Sequence, residues 1–258
     1  MQKINILQKK GSKPETIVFI HGNSSSNRIY DSLFGSDLIP YNLISFDLEG
    51  HGNSEKNGSY SIEGFKKNIL DVLNTINGKF ILVGHSFGGH LTLEIADEIS
   101  ELEGIVIFGT PPLKNPINLN EAFLPNPHGA TLFTESPSQK EVEAFFEDTV
   151  TIKEVIPILQ EDFDKSDPKI RSAIALGIAT PNAFKDERTV FLGLTINKCI
   201  IHGENDSIIN LDYIKQIQTD ANNSFEIKIV KNSGHYPSLE QPDDFLTLIA
   251  DFANSTFG

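Results

Sequence analysis

The chain has one cysteine, Cys199, among its 258 residues, so it can form no internal disulfide. The thiol lies in Cys199-Ile200-Ile201, which reads as a buried strand, and is expected to fill core and not to act as a nucleophile. Positive charge is scarce: 21 Lys and Arg face 35 Asp and Glu, for a formal net charge of −14. Such a surface disfavours nucleic acid and anionic lipid, both polyanions, and no basic patch with interleaved aromatics offsets it. No apolar run approaches the roughly eighteen residues of a membrane span. The stretch Met1-Gln2-Lys3-Ile4-Asn5 lacks the apolar region of a secretion signal. The expectation is a cytoplasmic protein with no membrane partner, either a monomer or a homodimer. Metal-ligand spacings such as H-x-H-x-D-H and H-E-x-x-H are missing. The only clustered glycines are Gly50-x-Gly52 and those within 84–89, so no cofactor and no metal are expected. There is no internal repeat and no low-complexity stretch.

What the chain does have is an ordinary globular balance, 39% hydrophobic and 22% charged residues, and one stretch around which the rest is organised. Phe80-Ile81-Leu82-Val83 reads as a buried strand. It runs into Gly84-His85-Ser86-Phe87-Gly88, a G-x-S-x-G pattern, and then into Leu91, Leu93, Ile95, Ala96 and Ile99 at helical spacing. A strand, a sharp turn and a helix are the context in which this pattern presents a serine at the top of a sheet. Ser86 is therefore the expected nucleophile, with small neighbours to allow the turn.

Four other runs read as strands of the same sheet: 16–20, 43–46, 104–108 and 198–201, with 225–230 as the last and 3–8 as a weak edge strand. Helix-length segments separate them, among them one begun by Ser61 as a cap, with Glu63 in its first turn. Apolar strands with helical crossovers imply a mostly parallel sheet covered on both faces. From Leu113 to about Phe191 the rhythm stops. Prolines and phenylalanines accumulate, with helical patches at 141–146, 152–163 and 168–176. Residues 1–112 and 192–258 are thus expected to form the core, and 113–191 an inserted helical cap near the strand ends where ligands of open α/β sheets bind.

A serine hydroxyl needs a base, and the base needs an orienting acid. Of seven histidines, His235 follows the last strand beside Gly234 and is the best placed base. His85 and His90 sit too close to Ser86 in sequence to reach round to its hydroxyl, and His21 reads as a structural residue of its own loop. The acid should fall between serine and histidine in chain order. Asp206, in Gly203-x-x-Asp206, is favoured, with Glu204 as the rival; Asp47 reads as a brace for the turn that follows it. An oxyanion hole requires two backbone amides. Phe87, at a helix start, supplies one, and Asn23, after His21-Gly22, the other, with its side chain able to reach a substrate carbonyl.

Taken together, His21-Gly22, Asp47-x-x-Gly50-His51-Gly52-x-Ser54, the Ser86 elbow, Gly203-x-x-Asp206 and Gly234-His235 resemble the α/β-hydrolase superfamily over nearly the whole chain. The resemblance implies an eight-stranded, mostly parallel sheet with helices on both faces and an inserted helical cap. More narrowly, His21-Gly22-Asn23-Ser24-Ser25-Ser26, Tyr60-Ser61-Ile62-Glu63-Gly64, Gly88-Gly89-His90 and Gly109-Thr110-Pro111-Pro112 resemble the metal-free N-acyl-homoserine-lactone hydrolases of that fold. That likeness implies ring opening of a quorum signal, with Asn23, His85 and Phe145 touching the substrate and the acyl chain under the cap. The chain departs from the pattern by carrying His85 where an aromatic is implied, Asp206 where a glutamate is, and Phe145 where a tyrosine is. The lost hydroxyl at Phe145 leaves the substrate open. The expected partner is a small acyl ester or lactone. A general carboxylesterase and a non-catalytic small-ligand binder are the alternatives.

Overall fold

The computed structural model describes residues 3–258. Its centre is a seven-stranded sheet in the order β1-β3-β2-β4-β5-β6-β7. The strands are β1 (Ile6–Lys9), β2 (Thr16–Ile20), β3 (Asn42–Phe46), β4 (Phe80–His85), β5 (Leu102–Phe108), β6 (Asn197–Gly203) and β7 (Glu226–Val230). The expected eighth strand is corrected to seven among the described residues. β1 is a half-exposed edge strand, antiparallel to β3, and every other pairing is parallel.

The apolar runs alternate between two cores. Ile17, Phe19, Val83, Phe108 and Ile201 point to one face, and Val18, Ile20, Leu82, Ile105 and Ile200 to the other. The first face is covered by α1 (Asp31–Gly35) and by α11 (Pro242–Phe257) through Leu33, Phe245 and Ile249. The second is covered by α2 (Ile62–Leu73), α3 (Phe87–Ile95) and α9 (Leu211–Asp220) through Phe65, Leu91 and Ile214. With both faces buried, a parallel strand has no reason to alternate with polar residues. The Ser61 hydroxyl accepts from the Gly64 amide and starts α2 as expected, but the helix stops at Leu73, three residues early.

Between β5 and β6 lie α4 (Leu119–Ala122), α5 (Gln139–Thr149), α6 (Ile156–Lys165), α7 (Lys169–Ala179) and α8 (Glu187–Gly193). The three helical patches read from the sequence correspond to α5, α6 and α7, each shifted or lengthened. α5 starts two residues early because Ser138 and Glu141 form a reciprocal capping box. α8 packs on α3.

The strand order positions the site. From β2 the chain steps to β3 on one side and then returns past β2 to β4 on the other. The crevice between the C-terminal ends of β2 and β4 is therefore the switch point where open α/β sheets bind ligands. His21-Gly22-Asn23 leaves β2 there, and Ser86 leaves β4.

Candidate active site

Ser86 sits between β4 and α3 at φ 49°, ψ −120°, a region that residues with a side chain seldom occupy. Its neighbours explain how the turn closes. A Cβ on Gly88 would fall 2.4 Å from the His21 and Ile20 carbonyl oxygens, and one on Gly89 would fall 2.1 Å from Thr110 Oγ1. Only glycine lets α3 lie this close to β2 and to the loop after β5. The Ser86 amide donates to the Phe108 carbonyl at 2.8 Å, and the Thr110 hydroxyl donates to the Ser86 carbonyl at 2.9 Å. The strained residue is thus pinned from both sides by backbone and side-chain hydrogen bonds.

His235 follows β7 and Asp206 follows β6, adjacent strands whose C-terminal ends place the two side chains together. His235 Nδ1 lies 2.9 Å from Asp206 Oδ2. A carboxylate accepts only, so Nδ1 carries a proton and Nε2 is the ring nitrogen that does not face Asp206. Asp206 Oδ1 accepts from the amides of Ile208 and Ile209 at 2.8 and 3.2 Å. Burial pushes the Asp206 carboxyl up, but the charge of His235 and the hydrogen bonds outweigh it and hold the group below the ordinary range. Glu204, the rival acid, turns instead to the Asn232 amide at 3.1 Å.

The His235 loop is clamped by Glu240. This buried carboxylate accepts from the amides of Gly234 and Tyr236 on one side and of Thr151 and Ile152 on the other. The His235 amide donates to the Thr149 carbonyl at 2.8 Å. Glu240 carried no motif signal, because it acts on backbone groups brought near by folding.

Ser86, His235, Asn23, Phe87 and Phe145 line one cavity of about 300 Å³. A direct Ser86–His235 hydrogen bond is absent from this arrangement; such bonds commonly tighten only with substrate in place. The Phe87 amide opens α3 and has no acceptor within that helix. The Asn23 side chain donates to the Leu132 carbonyl at 2.7 Å and accepts from the Ser24 hydroxyl at 3.0 Å, tying the β2 loop to the segment above it. Phe145 is fully buried at the cavity wall. Phe123, Phe133 and Phe184 also line the cavity, whereas Phe146, Phe163 and Phe191 go to the two cores.

The substrate contact expected of His85 is corrected. Its side chain is buried and is not among the residues lining the cavity. Nε2 lies 3.0 Å from the His235 carbonyl, to which it donates, and burial followed by the nearby His235 ring lowers its pKa far below the ordinary value. A neutral His85 therefore braces the His235 main chain from behind. His21 likewise belongs to its loop: Nδ1 donates to the Gly22 carbonyl and Nε2 accepts from the Leu48 amide. Asp47 accepts from Asn27, Asn53 and Asn5 and braces the turn after β3.

One further pair escaped sequence reasoning. His90, one turn along α3 from Ser86, lines the same cavity and places Nδ1 3.0 and 2.9 Å from the two carboxylate oxygens of Glu187. The i,i+4 spacing from Ser86 was legible; the carboxylate, 97 residues away, was not. Among the described residues no cluster of three or more His, Cys, Asp or Glu is placed to hold a metal, and no helix is long and apolar enough to cross a membrane.

The family model described as the alpha/beta hydrolase family matches residues 17–248. The chain is 24% identical to the pyrethroid hydrolase of Sphingobium wenxiniae over 251 residues, covering 93% of this chain and 88% of that one. A crystal structure of a mutant of the N-acyl homoserine lactonase AidH complexed with N-hexanoyl homoserine lactone superposes with a TM-score of 0.86 at 22% identity, covering 98% of this chain and 94% of that one. The esterase RhEst1 from Rhodococcus sp. ECU1013 gives a TM-score of 0.81 at 20% identity, covering 99% and 96%. At these identities the structural likenesses show the fold.

Proposed function

The chain belongs to the alpha/beta hydrolase family and hydrolyses ester bonds, and from that premise we propose that it opens a small lactone, N-acyl homoserine lactone first among them. The observation that carries the reading is an apolar cavity of about 300 Å³ with Ser86 and His235 on its wall. Its size suits a small ligand largely enclosed by side chains, and Leu119, Phe123 and Phe133 offer an acyl chain an apolar surface.

In this reading Ser86 Oγ attacks the lactone carbonyl as His235 Nε2 takes the hydroxyl proton. Asp206 stabilises the imidazolium that forms. The amides of Phe87 and Asn23 receive the negative charge of the tetrahedral intermediate, an interaction for which each donor contributes about 3–4 kcal/mol. The intermediate collapses by breaking the ring C–O bond, and His235 returns its proton to the departing oxygen. A water then gives a proton to His235, attacks the acyl-enzyme and releases the ring-opened acid with Ser86 restored. The segment 113–191 acts as the cap that encloses the acyl chain.

The test pairs a covalent probe with substrates. A fluorophosphonate should label Ser86, shown by peptide mass, and Ser86→Ala should lose labelling and lower turnover by about 10³-fold or more. Acid release from acyl-homoserine lactones distinguishes the lactonase. Turnover of aryl esters with none of the lactones would leave a carboxylesterase, and an unlabelled, inactive native protein a binder.

A further inference from the structure

We infer that the His90–Glu187 pair is a specificity element of the cavity, which holds a hydrogen-bonding substituent, a secondary amide in the first instance, next to the scissile carbonyl. The inference rests on the hydrolase reading of Ser86 and adds to it a polar contact at a fixed place. The His90 amide donates to the Ser86 carbonyl at 3.1 Å, so His90 sits one helical turn on from the nucleophile, on the wall of the same cavity.

Glu187 is fully buried. Its carboxylate has two donors, the Leu113 amide at 2.9 Å and His90 Nδ1. A buried carboxylate is retained at high cost unless it is paired and hydrogen-bonded. Here its effect is to fix the imidazole's orientation and to keep the proton on Nδ1. Nε2 has no protein partner among the described residues, and the side chain keeps 12% of its surface exposed. It is the polar ring atom that His90 has left to offer to a cavity whose lining also includes Leu113, Phe123 and Phe184. In the neutral ring Nε2 accepts, and in the cation it donates. A secondary amide carries an N–H and a C=O and satisfies either form, whereas an alkyl chain leaves the nitrogen without a partner and loses the contact.

Two esters of matched length and leaving group test this: p-nitrophenyl N-acetylglycinate, with an amide beside the carbonyl, and p-nitrophenyl pentanoate, with methylenes there. The readout is the ratio of their kcat/KM values. His90→Phe should reduce the amide-to-alkyl ratio by about tenfold, and His90→Gln, which keeps a polar group at that point, should restore part of it. Urea midpoints identify any variant that has lost its fold, and the Gln variant carries the comparison if the Phe variant is one of these. An unchanged ratio in folded variants that still turn over both esters overturns this inference and leaves the hydrolase reading intact. A wild-type protein that hydrolyses neither ester and fails to label at Ser86 overturns both.

Discussion

Two imidazole–carboxylate pairs face the same cavity, and they differ in how each ring is carried. His235 stands on a loop beyond β7, and His90 stands on α3 in register with Ser86. Their carboxylates are both buried and both lie 2.9 Å away. The loop histidine is positioned by outside groups, namely Glu240 on the neighbouring amides, the Thr149 carbonyl on its own amide and the His85 ring on its carbonyl. The helical histidine needs none of these, since the helix fixes its height. The same two functional groups can therefore act as a base in one place and as a recognition point in the other, according to where the free nitrogen faces.

The sharpest way to break this comparison is to remove each ring in turn. His235→Ala should lower kcat on an activated ester by about 10³-fold or more, because no other group is left to take the Ser86 proton. His90→Ala should lower kcat/KM on p-nitrophenyl N-acetylglycinate by about tenfold, through a lost substrate contact. Steady-state rates on one ester, with fluorophosphonate labelling of Ser86 as a second readout, decide the order. If the His90 variant is the slower of the two, the roles assigned to the rings are reversed.

The carboxylates come next in size. Asp206→Asn should lower kcat by about 10²–10⁴-fold, because an amide no longer fixes the Nδ1–H tautomer or stabilises the imidazolium. Glu187→Gln should act mainly on KM and leave kcat within about tenfold. Stability offers an independent check. The Asp206 carboxyl is held below its ordinary value in the folded protein. Its contribution is therefore complete above about pH 4 and is lost as pH falls through the depressed value. As pH falls from about 5 to 3, the stability advantage of the wild-type protein over the Asn variant should shrink in urea titrations. An advantage that persists unchanged to about pH 3 would mean that the carboxyl does not lose its pairing there.

The contrast also explains what could be read before folding. Ser86, Asp206 and His235 each follow an apolar strand run, so their chain order and strand-end placement were legible. So was the capping of α2 by Ser61, a contact three residues long. The His90–Glu187 pair was illegible because its carboxylate lies in the stretch where the strand–helix rhythm fails. His85 was misplaced for a related reason: adjacency to Ser86 in sequence says nothing about face, and successive residues at a strand end point to opposite sides. Phe145 and Phe163 looked alike in the sequence and join the same core, yet Phe145 also walls the Ser86 cavity whereas Phe163 lies under the Arg171 guanidinium, 4.2 Å from its ring centroid.

A third buried carboxylate sharpens the comparison by lacking an imidazole. Asp162, on α6, accepts from the Ser26 hydroxyl at 2.7 Å and pairs with Arg28 at 3.2 Å, joining the β2 loop to the segment above the cavity. Burial pushes its carboxyl up to about 6, against the Ser26 hydrogen bond and the Arg28 charge. A raised carboxyl binds more protons in the folded state than in the unfolded chain between about pH 4 and 6, so this group's contribution declines as pH rises through that window. The four buried histidines His21, His51, His85 and His202, all with lowered values, oppose it by favouring the unfolded chain as pH falls below about 6.5, so the wild-type curve alone would mix the two effects. Asp162→Asn separates them, because it removes one titration and leaves the histidines in place. The stability of the wild-type protein relative to this variant should fall by about 1–3 kcal/mol between pH 4 and 7, measured as the difference of their urea unfolding free energies. A difference that stays flat or rises would show that Arg28 holds Asp162 ionised throughout, as His235 does Asp206, and that an imidazole is not what separates the two carboxylates.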